Sequence, residues 1–376
     1  MGDYYTVNQV IYQSKIEALY AGTRTGHQVH WHWHDEYNHV PWISESPYTL
    51  REVYKTRAQQ LRDNYDWLTL SFSGGSDSWT VLNSFLSNNI HLDEIFVRWP
   101  IKATENIYIP DPTDLRPVNL LSEWDLSIAP ELRRISQAHP EIKITVYDWS
   151  DDLKNFKHND DHVTQTQSCF VPGYWIRFGA IGEHEQAAID SGKKNCVIFG
   201  ADKPQIMVKD NQVYCYFLDI LANTNQSLPG QNRSTEFFYW SKDCTEVTHT
   251  QARAIYHYLC VHPEAVPLVD ARYPYSRERK DQWDKVARSI IYQDYNPLTF
   301  QAKKDSNGFY SQYDAWMTDA TLPDPLFLQR WQHMVDNIFA SIDKKYFNYE
   351  NGKPTGLSGF ISPLYFLGNL PEVDHN

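Results

Sequence analysis

The sequence predicts an α/β protein: a doubly wound, largely parallel sheet with an N-terminal extension before it and a mainly helical region after it. Three observations predict this. Short runs rich in Ile and Val (WLTLSF, EIFVRW, KITVYDW, NCVIFG) recur between residues 67 and 200, separated by amphipathic segments, as βαβ units require. One strand-to-helix corner is written almost wholly in small residues. From residue 233 onward the apolar spacing becomes helical.

The elements follow in order. Residues 1–60 form the extension. Its last segment, YTLREVYKTRAQQLRDNYD, is a charged helix opened by Ser46-Pro47, and Asn64-Tyr65-Asp66 leads out into a strand at 67–72. A helix at 77–88 and a strand at 94–99, closed by Pro100, come next. A helix at 123–138 is interrupted by Pro130, and a third strand covers 143–149. A helix at 175–191 precedes the fourth strand, 195–200. Residues 205–218 place two apolar runs around Lys209-Asp210-Asn211-Gln212, a hairpin expected at the sheet edge. These elements define a domain at 61–222. A C-terminal domain at 223–376 carries the helical stretches TEVTHTQARAIYHYL, RKDQWDKVARSIIY and LFLQRWQHMVDNIFASI.

Composition narrows the function classes. At 376 residues, 41% hydrophobic and 22% charged, the chain has a globular balance and room for two or three domains. A net charge of −13 disfavours sequence-blind nucleic-acid binding, which needs a basic footprint. The aromatic share of 15% suits buried cores and self-association interfaces as well as ligand sites. Five scattered cysteines without a CxxC pair fit reduced thiols and argue against a zinc ribbon or iron–sulfur cluster. No apolar run is long enough to span a bilayer, and the start MGDYYTVNQ does not read as a signal peptide. Met1-Gly2 with Thr6 matches the loose myristoylation pattern without a polybasic follow-up. The expected compartment is the cytoplasm.

The corner reads LTLSFSGGSDSW, residues 68–79. One glycine suffices for a turn and one Ser or Asp for a cap, so six such residues in a row keep backbone bare for a ligand. In a doubly wound sheet this edge is where ligands bind, and the following helix presents its positive end. The corner is therefore a phosphate-type anion site. It is neither GxxxxGK[ST] nor GxGxxG.

Ser73-Gly74-Gly75-Ser76-Asp77-Ser78 closely resembles the SGGxDS signature of the PP-loop family, the N-type ATP pyrophosphatases of the HUP fold type. The runs RAQQLRDNYDWLTLSFSGGSDS, SEWDLSI, FGADKP and EFFYWSKD are similar to PP-loop proteins of large tailed phages whose reaction is not settled, which would place the chain in a host cytoplasm. The resemblance implies that the loop grips the pyrophosphate of ATP, which is cleaved between its α- and β-phosphates with Mg²⁺. It also implies that Gly200, Asp202 and Lys203 of FGADKP face ATP, with Lys203 neutralising pyrophosphate and Asp77 or Asp202 holding Mg²⁺. By the same analogy Val97 and Arg98 face the adenine, or Arg98 turns to the substrate. Asp202 and Lys203 as plain loop caps before Pro204 is the alternative.

The chemistry so implied is adenylation of a carboxylate or amide-type oxygen, followed by attack of an amine or ammonia. An N-terminal cysteine nucleophile and paired cysteines are absent, which removes a built-in glutaminase and disfavours sulfur transfer. Ammonia would be free or come from a partner protein, and the acceptor would be a small molecule or nucleobase. A nucleotide-binding module without turnover, or a subunit of a nucleic-acid modification complex, is the competing reading.

Candidate substrate residues are Glu123 and Asp125 around Trp124, set against a plain helix start, and Arg177, Arg279 and Lys280, set against ordinary surface cations. In HQVHWHWH, His30, His32 and His34 would share one strand face, open either to a metal or to a covering aromatic strand.

Overall fold

The computed structural model describes residues 3–99, 101, 124–148, 181–200, 203–219, 232–274, 276–292, 295, 336–338, 340–350 and 353–371. The N-terminal segment forms its own antiparallel sheet from β1 (Tyr4–Val7), β2 (Val10–Tyr12) and β3 (Val29–His32), in the order β2-β1-β3. Asn8 and Gln9, both at positive φ, turn β1 into β2. Helix α1 (Lys15–Thr25) lies between β2 and β3, opened by the Ser14 hydroxyl, which accepts from the Glu17 amide. Helix α2 (Leu50–Asn64) starts in a full capping box, Thr49 with Glu52.

The central sheet is wholly parallel. Its strands are β4 (Trp67–Ser71), β5 (Glu94–Arg98), β6 (Lys143–Tyr147) and β7 (Asn195–Phe199), joined by a fifth after the hairpin β8 (Gln205–Lys209) and β9 (Gln212–Tyr216). That fifth strand is β10 (Arg233–Phe237), and the order is β6-β5-β4-β7-β10. Leu70 of β4 stands opposite Ile95 and Ile198, an apolar row that ties the three inner strands. Helix α3 (Ser76–Leu86) follows β4, α4 (Ala129–Ala138) precedes β6, and α5 (Glu183–Asp190) precedes β7. Helix α2 bonds to one face through Arg57 and Glu236. On the other face Gly182, the N-cap of α5, abuts Phe96 and Glu94 so closely that a Cβ there would lie 2.8 Å from the Phe96 ring. The expected α/β class, with helices on both faces of a parallel sheet, is therefore present.

Some boundaries differ from the sequence reading. The helical stretch expected over 123–138 changes character next to Pro130, which stands in the first turn of α4, where a proline is tolerated. A single π-type turn, Trp124–Ile128, leads into it. The parallel sheet runs past residue 222, since β10 supplies its outer strand; RSTEF is too polar to announce itself as one. The 205–218 hairpin is not the edge of that sheet. It turns at Asp210 and Asn211, both at positive φ, and forms a separate sheet with β13 (Tyr365–Asn369) in the order β8-β9-β13. Beyond residue 223 the described chain is mixed, with α6 (Thr245–Val261) and α7 (Arg277–Ile291) beside β10, β13 and the ladder of β11 (Phe347–Glu350) with β12 (Lys353–Leu357). The stretch 326–335 lies outside the described residues.

Aromatic residues join these parts. Trp33 stacks on Phe217 at 4.9 Å, Tyr37 meets the same ring at 4.6 Å, and Trp240 meets it edge-on at 5.0 Å. Trp42 stacks on Tyr365 at 5.0 Å. The N-terminal segment is thus seated on residues 217, 240 and 365 by buried rings, a packing use of the aromatic residues.

Candidate functional site

Numbered by its own order along the chain, the central sheet runs 3-2-1-4-5, so its direction of winding reverses between β4 and β7. In open parallel sheets the crevice outside this reversal receives ligands. Ser73–Gly75 leaves β4 there, and Gly200 ends β7 beside it.

Local chemistry shapes the corner. Gly74 sits at φ +70°, and a Cβ there would fall 2.6 Å from the Ile128 side chain, so no larger residue fits. Gly75 is the N-cap of α3 and brings no side-chain acceptor to the helix amides. Ser78 folds back on the loop: its hydroxyl accepts from the Ser73 amide at 3.2 Å and donates to the Gly75 carbonyl at 3.2 Å. A Cβ on Gly200 would lie 2.9 Å from the backbone of Asp77 and Ser78, so the residue after β7 packs directly on the main chain of α3.

Charged groups converge on this corner from the C-terminal half. Asp77 accepts a 2.5 Å bond from the Tyr292 hydroxyl and faces Arg288 at 3.9 Å. The Tyr239 hydroxyl donates to the Asp77 carbonyl at 2.8 Å. Lys203 is buried and points to Asp284 at 3.7 Å, while Lys280 holds the same carboxylate at 2.8 Å. Burial opposes the charge of Asp284, but Lys203 and Lys280 outweigh it and hold the carboxyl below its usual range. Burial likewise opposes the charge of Arg288, and Asp77 and Asp284 overcome it. Tyr292 is driven far up by burial and then by Asp77, so it stays a hydroxyl donor.

Of the residues singled out in the sequence, Ser73, Gly74, Gly75, Ser76, Asp77, Ser78, Gly200, Lys203 and Lys280 meet here. Val97 is buried in the core. Arg98 lies on the sheet face that Gly182 abuts, bonded to the Ser71 hydroxyl at 2.9 Å with its guanidinium 4.5 Å from the Phe96 ring. Arg279 turns away, donating to the Tyr273 carbonyl at 2.9 Å. Glu123, Arg177, Asp202 and the Asp125 side chain lie outside the described residues.

The sequence reading missed Asp284, Arg288, Tyr292 and Tyr239. Lys280, Asp284, Arg288 and Tyr292 recur every fourth residue and form one helical stripe, a signal visible in RKDQWDKVARSIIY but read there only as amphipathicity.

Other candidates resolve differently. His30 and His32 alternate with inward Trp31, but His32 pairs with Thr6 at 2.8 Å and stacks on Tyr4, and His34 lies beyond β3. Among the described residues no group of three or more His, Cys, Asp or Glu converges on a point. Cys196, Cys215 and Cys244 are buried; burial pushes the Cys244 thiol up to about 11 and the other two further. None of the three is poised as a thiolate. Among the described residues no helix is long and apolar enough to cross a membrane.

The residues at the corner fit a polyphosphate with a divalent cation: a glycine cradle, an uncapped helix N-terminus, three cations and an Asp77 carboxylate as an oxygen ligand. No protein-family model matches the chain, and the curated proteins contain no significant match to it.

Proposed function

We propose that the chain is an ATP-dependent, AMP- and pyrophosphate-forming enzyme that adenylates a carboxylate or amide-type oxygen for attack by an amine or ammonia. One observation carries this reading: SGGSDS occupies the reversal point of a parallel 3-2-1-4-5 sheet, with Gly200 packed on the backbone of Asp77. The SGGxDS resemblance turns a general anion site into an ATP pyrophosphatase site. Bound ATP would supply the adenylyl group, and Mg²⁺ would offset phosphate charge.

The chain's own part is positioning and electrostatics. Loop amides and the α3 N-terminus hold phosphate oxygens, and Asp77 offers a carboxylate to the metal. Lys203, paired with Asp284, adds positive potential at this edge. No protein nucleophile is required, in keeping with the burial of Cys196, Cys215 and Cys244.

A second reading is a nucleotide-binding module without turnover, alone or in a nucleic-acid modification complex. It draws on the engagement of Asp77 by Tyr292 and Arg288, which leaves that carboxylate already partnered.

Titration calorimetry with Mg·ATP on wild type and on Gly75→Asp tests the binding step. The N-cap backbone at residue 75 (φ −87°, ψ 165°) suits Asp, so the variant keeps the helix while placing a carboxylate in the anion cradle. Binding to wild type and none to Gly75→Asp is expected; equal binding to both sinks the loop as the ATP site. Release of pyrophosphate with AMP on adding amine and acid acceptors separates the enzyme from the module.

A further inference from the structure

We infer that Arg288, carried on α7, is the cation that receives the terminal phosphates, and that Asp77 is its resting partner; this rests on the ATP reading above. The sequence reading gave that role to Lys203.

Three observations shift it. First, Lys203 is only 6% exposed and shares Asp284 with Lys280, so its charge is committed inside the fold. The Arg288 side chain is 27% exposed, within reach of a ligand. Second, Arg288 is weakly held. Among the described residues its nearest carboxylate oxygen stands at 3.9 Å, whereas charge-assisted N–O bonds close to about 2.7–2.9 Å. Its buried Nε has no hydrogen-bond partner among the described residues. Asp77 receives its short bond from Tyr292 instead.

Third, the setting is unfavourable for a cation unless an anion arrives. Arg288 faces the first turn of α3, the positive end of the helix, where cations are disfavoured. Among the described residues Lys203 and Lys280 pair with Asp284, and Arg288 faces Asp77. A polyphosphate between the α3 N-terminus and Arg288 would satisfy both. A guanidinium also offers the forked donor geometry that phosphate oxygens match.

Calorimetry with Mg·ATP, with magnesium pyrophosphate and with AMP tests this on wild type, Arg288→Met and Arg288→Lys. Arg288→Met should weaken ATP and pyrophosphate by at least about tenfold, a charge-assisted contact's worth, and leave AMP within about twofold of wild type. Arg288→Lys should recover part of the loss, which a purely steric role would not allow. If wild type binds ATP and Arg288→Met binds it equally well, or loses all three ligands alike, Arg288 is structural and the inference falls while the ATP reading stands. If wild type binds neither ATP nor pyrophosphate, the reading beneath it fails first.

Discussion

Two ion-pair systems in this protein use the same chemistry to opposite ends. In the N-terminal unit Lys15 lies 2.8 Å from Asp219 and 2.7 Å from the Ser358 carbonyl, with both side chains fully excluded from water. Tyr5 and the Phe360 amide complete the Asp219 carboxylate at 2.9 and 2.7 Å. At the corner, Lys203–Asp284 and Arg288–Asp77 stand at the longer distances of 3.7 and 3.9 Å. A saturated buried pair fixes geometry, because breaking it strands a charge. A loosely paired cation at a sheet crevice can exchange its partner for another anion. The first therefore fastens the fold, and the second has the looser pairing that the proposed ligand site requires.

The largest expected effect would break the fastening side. Lys15→Met leaves Asp219 buried without its cation and should cost about 3–5 kcal/mol, read as a fall in the urea midpoint. Lys15→Met with Asp219→Leu should recover much of that, since a matched apolar pair strands nothing. An unchanged midpoint in the single variant would remove the contrast.

A smaller effect should fall on the corner alone. Gly200→Ala forces its Cβ against the Asp77 and Ser78 backbone, which cannot yield as a side-chain tip would. A loss of about 1–3 kcal/mol is expected, together with loss of Mg·ATP binding. Retained binding at wild-type affinity would mean that β7 and α3 need not touch for the loop to work.

The smallest effect sharpens the electrostatics. Asp284 has a folded pKa below its unfolded value, so its contribution is present above about pH 4 and lost as pH falls through the folded value. The stability gap between wild type and Asp284→Asn should be smaller than that of Lys15→Met, because Lys280 is half exposed, and should be present near neutrality and close in acid. A gap that widens on acidification would mean that Lys203 and Lys280 do not hold that carboxylate.

The corner was legible because its information is contiguous: glycine at positive φ, small residues beside it and a strand–helix frame all lie within a dozen residues. The inner strands were legible from apolar runs. Strand β10 was not, because Arg233 and Glu236 spend their side chains on Glu185 and Arg57, pairings that sequence cannot display. The cation side of the site was half legible. Choosing Lys280 over Arg279 needs the helical phase, and joining Tyr292 to Asp77 spans 215 residues. Nothing local marks such a pair.

The Lys15–Ser358 bond also has a consequence for how the chain matures. The two residues are 343 positions apart, so on the ribosome the first helix is complete long before its carbonyl partner is made. Asp219 arrives in between and can neutralise Lys15, but the Phe360 amide that steadies Asp219 is translated late. The N-terminal unit can therefore be sealed only after the segment around residue 360 has left the ribosome, and a chain truncated before it would lack both bonds.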